Sequence, residues 1–353
     1  MRSLFCSLVL ILCLACDKPS PFDPADYQLD QLTLGISFPP VENERQRELS
    51  AEKLGDLNVK KIRFAEEWAF REAEKGNYNW GPLDARLGWA NAQGYEVLLT
   101  IQSNGPDWAC SDRRNERSCV YNDTQAFKTY IDSLLKRFPN QITKIQYGNE
   151  WQSDFWYIGS AAEFVEVNNL VYQSVQAYSP ATEVVLGGFT TISLRLMAAC
   201  AGKLQDFEDD EGNLYDQSFL DANCGGAELS AGLARIDSIL ALAQYDALDL
   251  HLYDDPENWD EILGHFRTLT SSPLIVSEFG GPNLNLEPKS ETYQAERLDY
   301  YIKKLDSLEI AEAYFFRLVE GSNNPAHESS GLLTKITHRE KETFEIFRRF
   351  SNP

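Results

Sequence analysis

Eight short apolar runs recur along the chain, and each is followed by a polar stretch and then by a segment with helical spacing. The runs are Leu32–Phe38, Lys60–Phe64, Glu96–Ile101, Ile142–Tyr147, Glu183–Leu186, Ala247–Leu252, Leu274–Ser277 and Ala311–Phe316. The helical segments are Arg45–Leu54, Leu83–Ala92, Thr124–Arg137, Ala161–Ala177, Ala231–Ala243, Trp259–Thr268, Glu291–Leu305 and Lys341–Phe350. In Thr124–Arg137 the residues Phe127, Tyr130, Ile131, Leu134 and Leu135 fall at helical spacing, and Asp123 or Thr124 stands where a cap is needed. Gly94 supplies a stop after Leu83–Ala92. Eight alternating units predict a single-domain α/β fold, a (β/α)8 TIM barrel. A chain of 353 residues exceeds what one hydrophobic core of another kind usually supports. A doubly wound open sheet is the competing topology, but neither G-x-G-x-x-G nor G-x-x-x-x-G-K-[ST] follows the first run, which weakens a nucleotide-binding reading.

Acidic residues outnumber basic ones, 54 to 32, for a formal net charge of -22. A surface this negative repels a phosphate backbone, so nucleic acid is a poor partner. With 43% hydrophobic and 24% charged residues, disorder, collagen and coiled coil are excluded for the bulk of the chain. Aromatic residues at 12% suffice for sugar-stacking surfaces as well as for an aromatic core.

Arg2 is the only charge before Asp17, and Leu4–Ala15 is an apolar run too short to span a bilayer. Residues 1–15 are therefore expected to be a signal peptide. Ala15-Cys16, followed by Asp17-Lys18-Pro19, resembles the cleavage box of bacterial lipoproteins, with Cys13 where leucine is usual. That resemblance implies lipidation of Cys16, a membrane anchor through it, and an exported location at the cell surface or in the periplasm. Residues 16–29 read as a flexible tether and 30–353 as the barrel. Beyond Cys16 the mature chain keeps Cys110, Cys119, Cys200 and Cys224, an even number that suggests disulfides in an exported protein. Three pairings are open, and the local one, Cys110–Cys119 with Cys200–Cys224, is expected. No C-x-x-C occurs in the mature chain, which disfavours zinc.

Catalytic residues of a barrel sit at the C-terminal ends of its strands. The fourth run leads into Gly148-Asn149-Glu150-Trp151 and the seventh into Glu278-Phe279-Gly280-Gly281. Strands four and seven stand on opposite sides of a closed barrel, so their glutamates would face each other across its mouth. Glycosidic bond hydrolysis needs such a pair. One carboxyl is protonated to assist the leaving oxygen, and the other is ionised to attack or stabilise the anomeric carbon. Burial and like-charge repulsion would part their pKa values.

On these residues the chain resembles a clan A retaining glycoside hydrolase over about residues 31–350. The motifs are Asn149-Glu150 ending strand four and Glu278 ending strand seven. They are supported by Arg63 ending strand two, Tyr78-Asn79-Trp80 with Leu83-Asp84, Gly94–Leu99, and His251-Leu252-Tyr253 ending strand six. The resemblance implies that Glu150 is the general acid/base and Glu278 the nucleophile. It also implies that Asn149 bonds the sugar 2-hydroxyl, Tyr253 holds Glu278, Arg63 keeps Glu278 ionised, and His251 contacts the substrate or Glu150. The implied activity is cleavage of a β-linked oligo- or polysaccharide through a covalent glycosyl-enzyme, with carbohydrate as partner and with no metal and no organic cofactor. A catalytically silent glycan-binding barrel is the competing function. An inverting hydrolase is the competing mechanism, with carboxyl groups ~6.5–9.5 Å apart against ~5–5.5 Å in a retaining enzyme.

Two positions depart from the clan. Strand eight ends without a tryptophan, so Phe316, or Glu320 reaching in, takes that place, and Trp151 follows Glu150 where many relatives have proline. Trp68, Trp108, Trp151 and Trp156 all fall just after strand ends and are expected on the rim as sugar platforms. Trp80 and Trp89 read as helix packing. His327 lies in the loop after strand eight. Arg113, Arg114 and Arg117, inside the Cys110–Cys119 loop, read as a solvated loop or as readers of an acidic sugar. Residues 198–229 read as irregular and acidic, a rim loop or solvated charge run, with calcium at Asp206–Glu211 as an alternative.

Overall fold

The structure is a computed structural model and describes residues 27–115, 117–209, 213–281, 290–323 and 327–351. Eight parallel strands close a barrel: β1 (Thr33–Ser37), β2 (Lys61–Glu67), β3 (Glu96–Gln102), β4 (Lys144–Tyr147), β5 (Glu183–Phe189), β6 (Ala247–Tyr253), β7 (Leu274–Gly280) and β8 (Glu312–Phe316). Closure, which excludes the open sheet, is made by β1, where Thr33 aligns with Glu312 of β8 and Gly35 with Lys61 of β2. The sequence places all eight strands, with no end moved by more than three residues.

Strand parity sorts the interior into layers, because alternate residues face the barrel axis. At the floor, Glu312 pairs with Lys61 at 2.9 Å and Lys144 at 3.2 Å. Above it Leu98, Val185, Ala247, Ile275 and Tyr314 pack as a separate apolar layer. Nearer the C-terminal ends of the strands the inward positions turn polar: Arg63, Thr100, Gln146, Asp249 and Ser277, all buried. A buried polar layer demands hydrogen-bond partners, and it lies at the C-terminal end, under the barrel mouth.

The eight expected helices form around the barrel, together with others the sequence reading did not place. Thr124–Arg137 starts on the Asp123 side chain, which accepts from the Ala126 N–H, and buries Phe127, Tyr130, Ile131, Leu134 and Leu135 as its spacing requires. Gly94 ends the helix Gly81–Gln93 in the left-handed conformation, φ 70°.

The segment 198–229 is not irregular, which corrects the sequence reading. Thr191–Cys200 and Gln217–Asn223 are helices, and Phe207–Glu208 pairs antiparallel with Leu214–Tyr215. Both helices are capped locally, Thr190 accepting from the Ser193 N–H and Asp216 from the Phe219 N–H. Disulfides join Cys110 to Cys119 and Cys200 to Cys224, the local pairing. The first clasps a ribbon of Cys110–Asn115 against Ser118–Tyr121, and the second ties the end of Thr191–Cys200 to the end of Gln217–Asn223. Among the described residues no helix is long and apolar enough to cross a membrane, and no cluster of His, Cys, Asp and Glu could hold a metal ion. The expected signal peptide, Cys16 and most of the tether lie outside the described residues, as do Asp210 and Glu211 of the acidic stretch.

Candidate active site

Arg63 organises the mouth. It is fully buried on β2 and uses both ends of its guanidinium. Nε donates to Thr100 Oγ1 at 2.9 Å, Nη1 to Ser37 Oγ at 3.3 Å and to Glu278 Oε1, and Nη2 to Gln146 Oε1 at 3.1 Å and Asn149 Oδ1 at 2.7 Å. One side chain from strand two thereby fixes residues of β3, β4 and β7, which sequence order scatters over more than half the chain. A buried cation needs this saturation, since an uncompensated charge in the interior is costly. The ring of Phe38 covers its open face, 5.0 Å from the guanidinium carbon.

Glu278 reaches the mouth through a register shift. Asp249 of β6 aligns with Ile275, yet His251 aligns with Glu278, so β7 carries one extra residue at this level. As a result Ser277 and Glu278 both turn inward. Ser277 Oγ donates to Asp249 Oδ2 at 2.5 Å, while Glu278 takes Arg63 on one oxygen and the Tyr253 hydroxyl on the other at 2.5 Å. Burial alone would push the Glu278 carboxyl up. The His251 and Arg63 charges and the Tyr253 hydroxyl outweigh it and hold the group below the usual carboxylate range.

Glu150 ends a turn of left-handed backbone, with φ 76° at Gly148 and 45° at Glu150 itself. A non-glycine residue in that region is strained and persists only where its surroundings hold it. Here two donors do so: Trp156 Nε1 donates to Oε2 at 2.7 Å, and His251 Nδ1 lies 2.9 Å from Oε1. Trp156 is in turn seated by Ser103, whose hydroxyl donates to its carbonyl at 2.5 Å, and by Arg117, which stacks 5.1 Å from its ring.

His251 connects the two carboxyls. Its Nε2 is 3.2 Å from Ser277 Oγ, 3.5 Å from Asp249 Oδ2 and 3.7 Å from Glu278 Oε1. Burial lowers its pKa, but the surrounding Glu278, Asp249 and Glu150 raise it to about 10, so the ring carries a proton on each nitrogen at neutral pH. Asp249, kept below its ordinary value despite burial by the His251 charge, also accepts from Gln146 Nε2 at 2.6 Å. Gly188 makes room: a β-carbon there would lie 2.2 Å from His251 Nε2.

The structure therefore brings together Arg63, Asn149, Glu150, His251, Tyr253 and Glu278. Phe316 joins them at the edge, its half-buried ring packed edge-on against Tyr253 at 6.1 Å, Phe38 at 5.8 Å and His327 at 5.4 Å. Glu320 turns away, accepting from the Lys335 N–H at 3.1 Å and from Lys341 Nζ at 3.2 Å. Trp151 and Trp68 are corrected. Both are fully buried and offer no face to a sugar. Trp151 packs on Phe164 and Phe189, because the left-handed turn at Glu150 sends the next side chain into the barrel wall. Trp68 sits among Trp108, Tyr121, Phe127 and Tyr130 and donates to Glu72 at 2.6 Å. Trp108 is half-buried against it and donates to the Glu72 carbonyl at 3.0 Å, so it too belongs to this cluster rather than to the glutamate pair. Thr100, Gln146, Asp249, Ser277 and Gly188 were not anticipated. The legible signal was a polar residue at an inward position of an otherwise apolar strand.

No protein-family model matches the sequence, and no curated protein matches it. Solved structures do. A family 39 glycoside hydrolase from the gut symbiont Bacteroides cellulosilyticus superposes with a TM-score of 0.63 at 14% identity, covering 90% of this chain and 63% of that one. An exo-β-1,4-mannosidase from an Opitutaceae bacterium gives 0.62 at 14% identity over 92% of this chain and 59% of that one. A monomeric β-xylosidase from Caulobacter crescentus gives 0.60 at 13% identity over 91% and 67%. This chain thus spans about three fifths of the length of the first two. At such low identity the likeness establishes the fold: a closed barrel of eight parallel strands shared with glycoside hydrolases.

Proposed function

We propose that the chain is a retaining glycoside hydrolase acting on a β-linked oligo- or polysaccharide. One observation carries the reading: Glu278, held ionised by Arg63 and Tyr253, and Glu150, half-buried and gripped by Trp156, reach the same imidazole from opposite sides of the mouth. The solved glycoside hydrolases that share the fold add support.

In the proposed reaction a Glu278 carboxylate oxygen attacks the anomeric carbon. The bond from that carbon to the leaving oxygen breaks, and Glu150 delivers its proton to that oxygen. Water then attacks the glycosyl–Glu278 ester and gives its proton to Glu150, which frees the sugar and restores both carboxyls. Asn149, whose Oδ1 is taken by Arg63, turns its amide nitrogen to the sugar 2-hydroxyl. Tyr253 and Arg63 keep Glu278 anionic and correctly aimed, and Phe316 floors the sugar. The chemistry uses no metal and no organic cofactor. The protein is exported and anchored through a lipid on Cys16; labelling by palmitate that survives Cys16→Ser would refute the anchor.

The test is reducing-sugar release from β-linked polysaccharides and aryl β-glycosides by the protein and its Glu278→Ala variant. NMR of the first anomer formed accompanies it. Release by the parent alone with retention at the anomeric carbon is expected. Inversion would overturn the mechanism, and glycan binding without release would favour the silent barrel.

A further inference from the structure

Two cavities of about 400 Å3 each open at the barrel mouth and share Glu67 and Phe70 as a common wall. The first lies over the ends of β1, β2 and β8, where Phe38, Arg71 and Arg317 line it. The second lies over the ends of β2 and β3, where Asn104, Arg113 and Arg117 line it. Most of these arginines are committed. Arg71 holds Glu66 and donates to the Asn79 carbonyl at 2.9 Å. Arg113 donates to Asn104 Oδ1 at 2.7 Å and to the Gly105 carbonyl at 2.5 Å, with Asp107 3.4 Å away. Arg117 lies over Phe155 and Trp156.

Arg317 is different. It follows Phe316 directly, at the end of β8, and its side chain makes no hydrogen bond or ion pair with the described residues. Its Nε is buried without an acceptor, and its guanidinium lies 5.8 Å from the Phe316 ring. Burial lowers its pKa and no nearby carboxylate opposes the shift. This occurs in a chain with 54 acidic residues, where partners are plentiful. An uncompensated, partly desolvated guanidinium destabilises a fold, whereas a fork of five donors suits a carboxylate or a sulfate. The acids of this cavity have other partners: Glu67 accepts from Asn104 at 2.5 Å, Glu66 is held by Arg71 and Arg86, and Glu42 lies 3.5 Å from Arg86. Phe38 of the same lining lies 5.0 Å from the Arg63 guanidinium, which donates to Glu278, and packs on Phe316 at 5.8 Å, so the cavity adjoins the glutamate pair.

We propose that Arg317 reads a negative charge on a sugar bound beside Phe316, a uronic acid carboxylate or a sulfate ester, so that the substrate is an anionic glycan. The proposal rests on the glycosidase reading and names its substrate class. The net charge of -22 repels anionic glycans at long range, which makes a local cation the means by which one could be retained.

The experiment measures binding and hydrolysis of β-linked glucuronate and mannuronate oligosaccharides beside their carboxyl-reduced forms, and of sulfated β-linked galactan oligosaccharides beside their desulfated forms. Binding is measured in the Glu278→Gln background, where turnover does not intervene. The expected result is a preference for one charged member over its neutral counterpart, carboxylate or sulfate identifying the group. Arg317→Met should shrink that preference roughly 10- to 100-fold, and Arg317→Lys should restore part of it. The unfolding midpoint of Arg317→Met should stay at or above that of the parent, because a binding cation with no protein partner does not hold the fold. Equal treatment of charged and neutral members, or an unchanged preference in Arg317→Met, overturns the anion proposal and leaves the glycosidase reading standing. Binding without any hydrolysis overturns the glycosidase reading, and the binding preference still decides on Arg317. Failure to bind any member overturns both.

Discussion

Nδ1 of His251 stands 2.9 Å from Oε1 of Glu150, while the far nitrogen of the same ring lies 3.7 Å from Glu278. A single buried imidazolium therefore sets the distance between the two carboxyls and shares its charge between them. Each of its neighbours was built to hold it: Asp249 and Ser277 beneath, Gly188 alongside.

The His251 proton makes stability depend on pH in a definite direction. Its pKa is about 10 in the folded chain against an ordinary 6.5, so its contribution is complete below 6.5 and is lost as pH rises through 10. Glu278 is lowered, so its contribution is present above its ordinary 4.5 and fades as pH falls below that. The unfolding midpoint should decline between pH 6.5 and 10 in the parent, and His251→Asn should flatten that limb. A parent with no alkaline decline, or a variant with the same one, would contradict the charged ring.

Gly188→Ala should displace the imidazole. The added β-carbon meets Nε2 at 2.2 Å, against a ring fixed on both sides, so relief requires movement of β5 or β6. Overpacking of this kind costs about 1–3 kcal/mol. Activity should fall about 100-fold, by analogy with other small displacements of a catalytic site. Unfolding in denaturant and kcat measured together check it, and parent-like activity would mean that His251 does not need its position.

Trp156→Phe keeps an aromatic ring of smaller size and removes the donor to Glu150 Oε2. The loss should appear as a roughly tenfold fall in kcat, a fraction of what general acid–base catalysis contributes. It should be larger for alkyl than for nitrophenyl glycosides, because a good leaving group needs little protonation. Equal losses for both leaving groups would show that Trp156 acts by packing alone.

Trp151→Ala should act on folding and not on recognition. The side chain is fully buried between Phe164 and Phe189, and truncating such a residue costs about 3–5 kcal/mol. Trp151→Phe, which retains most of the volume, should recover much of that stability and bind glycans like the parent. A selective loss of glycan affinity in Trp151→Phe would return Trp151 to the sugar surface.

Much of the barrel could be read from the chain because its signals are local. A strand buried on both faces is a short apolar run, and a helix repeats its apolar residues every three or four positions. The disulfides were open to three pairings, and closeness in sequence favoured the one observed. The segment 198–229 was misread because its helices are short and only Thr190 and Asp216 mark their starts.

Sequence alone determined the alternation of strands and helices, and from it that Glu150 and Glu278 would rise at opposite sides of one rim. Tertiary structure decided which neighbours serve them. The extra residue in β7 turns Ser277 and Glu278 inward together, and Arg63 collects β3, β4 and β7 around one guanidinium. The left-handed turn at Glu150 hides Trp151 and leaves Trp156, five residues further on, to grip the carboxyl. A tryptophan after a strand end looks the same in sequence whether it faces sugar or core. The choice between them lies in a backbone dihedral and in the packing of residues far apart along the chain, which local patterning does not encode.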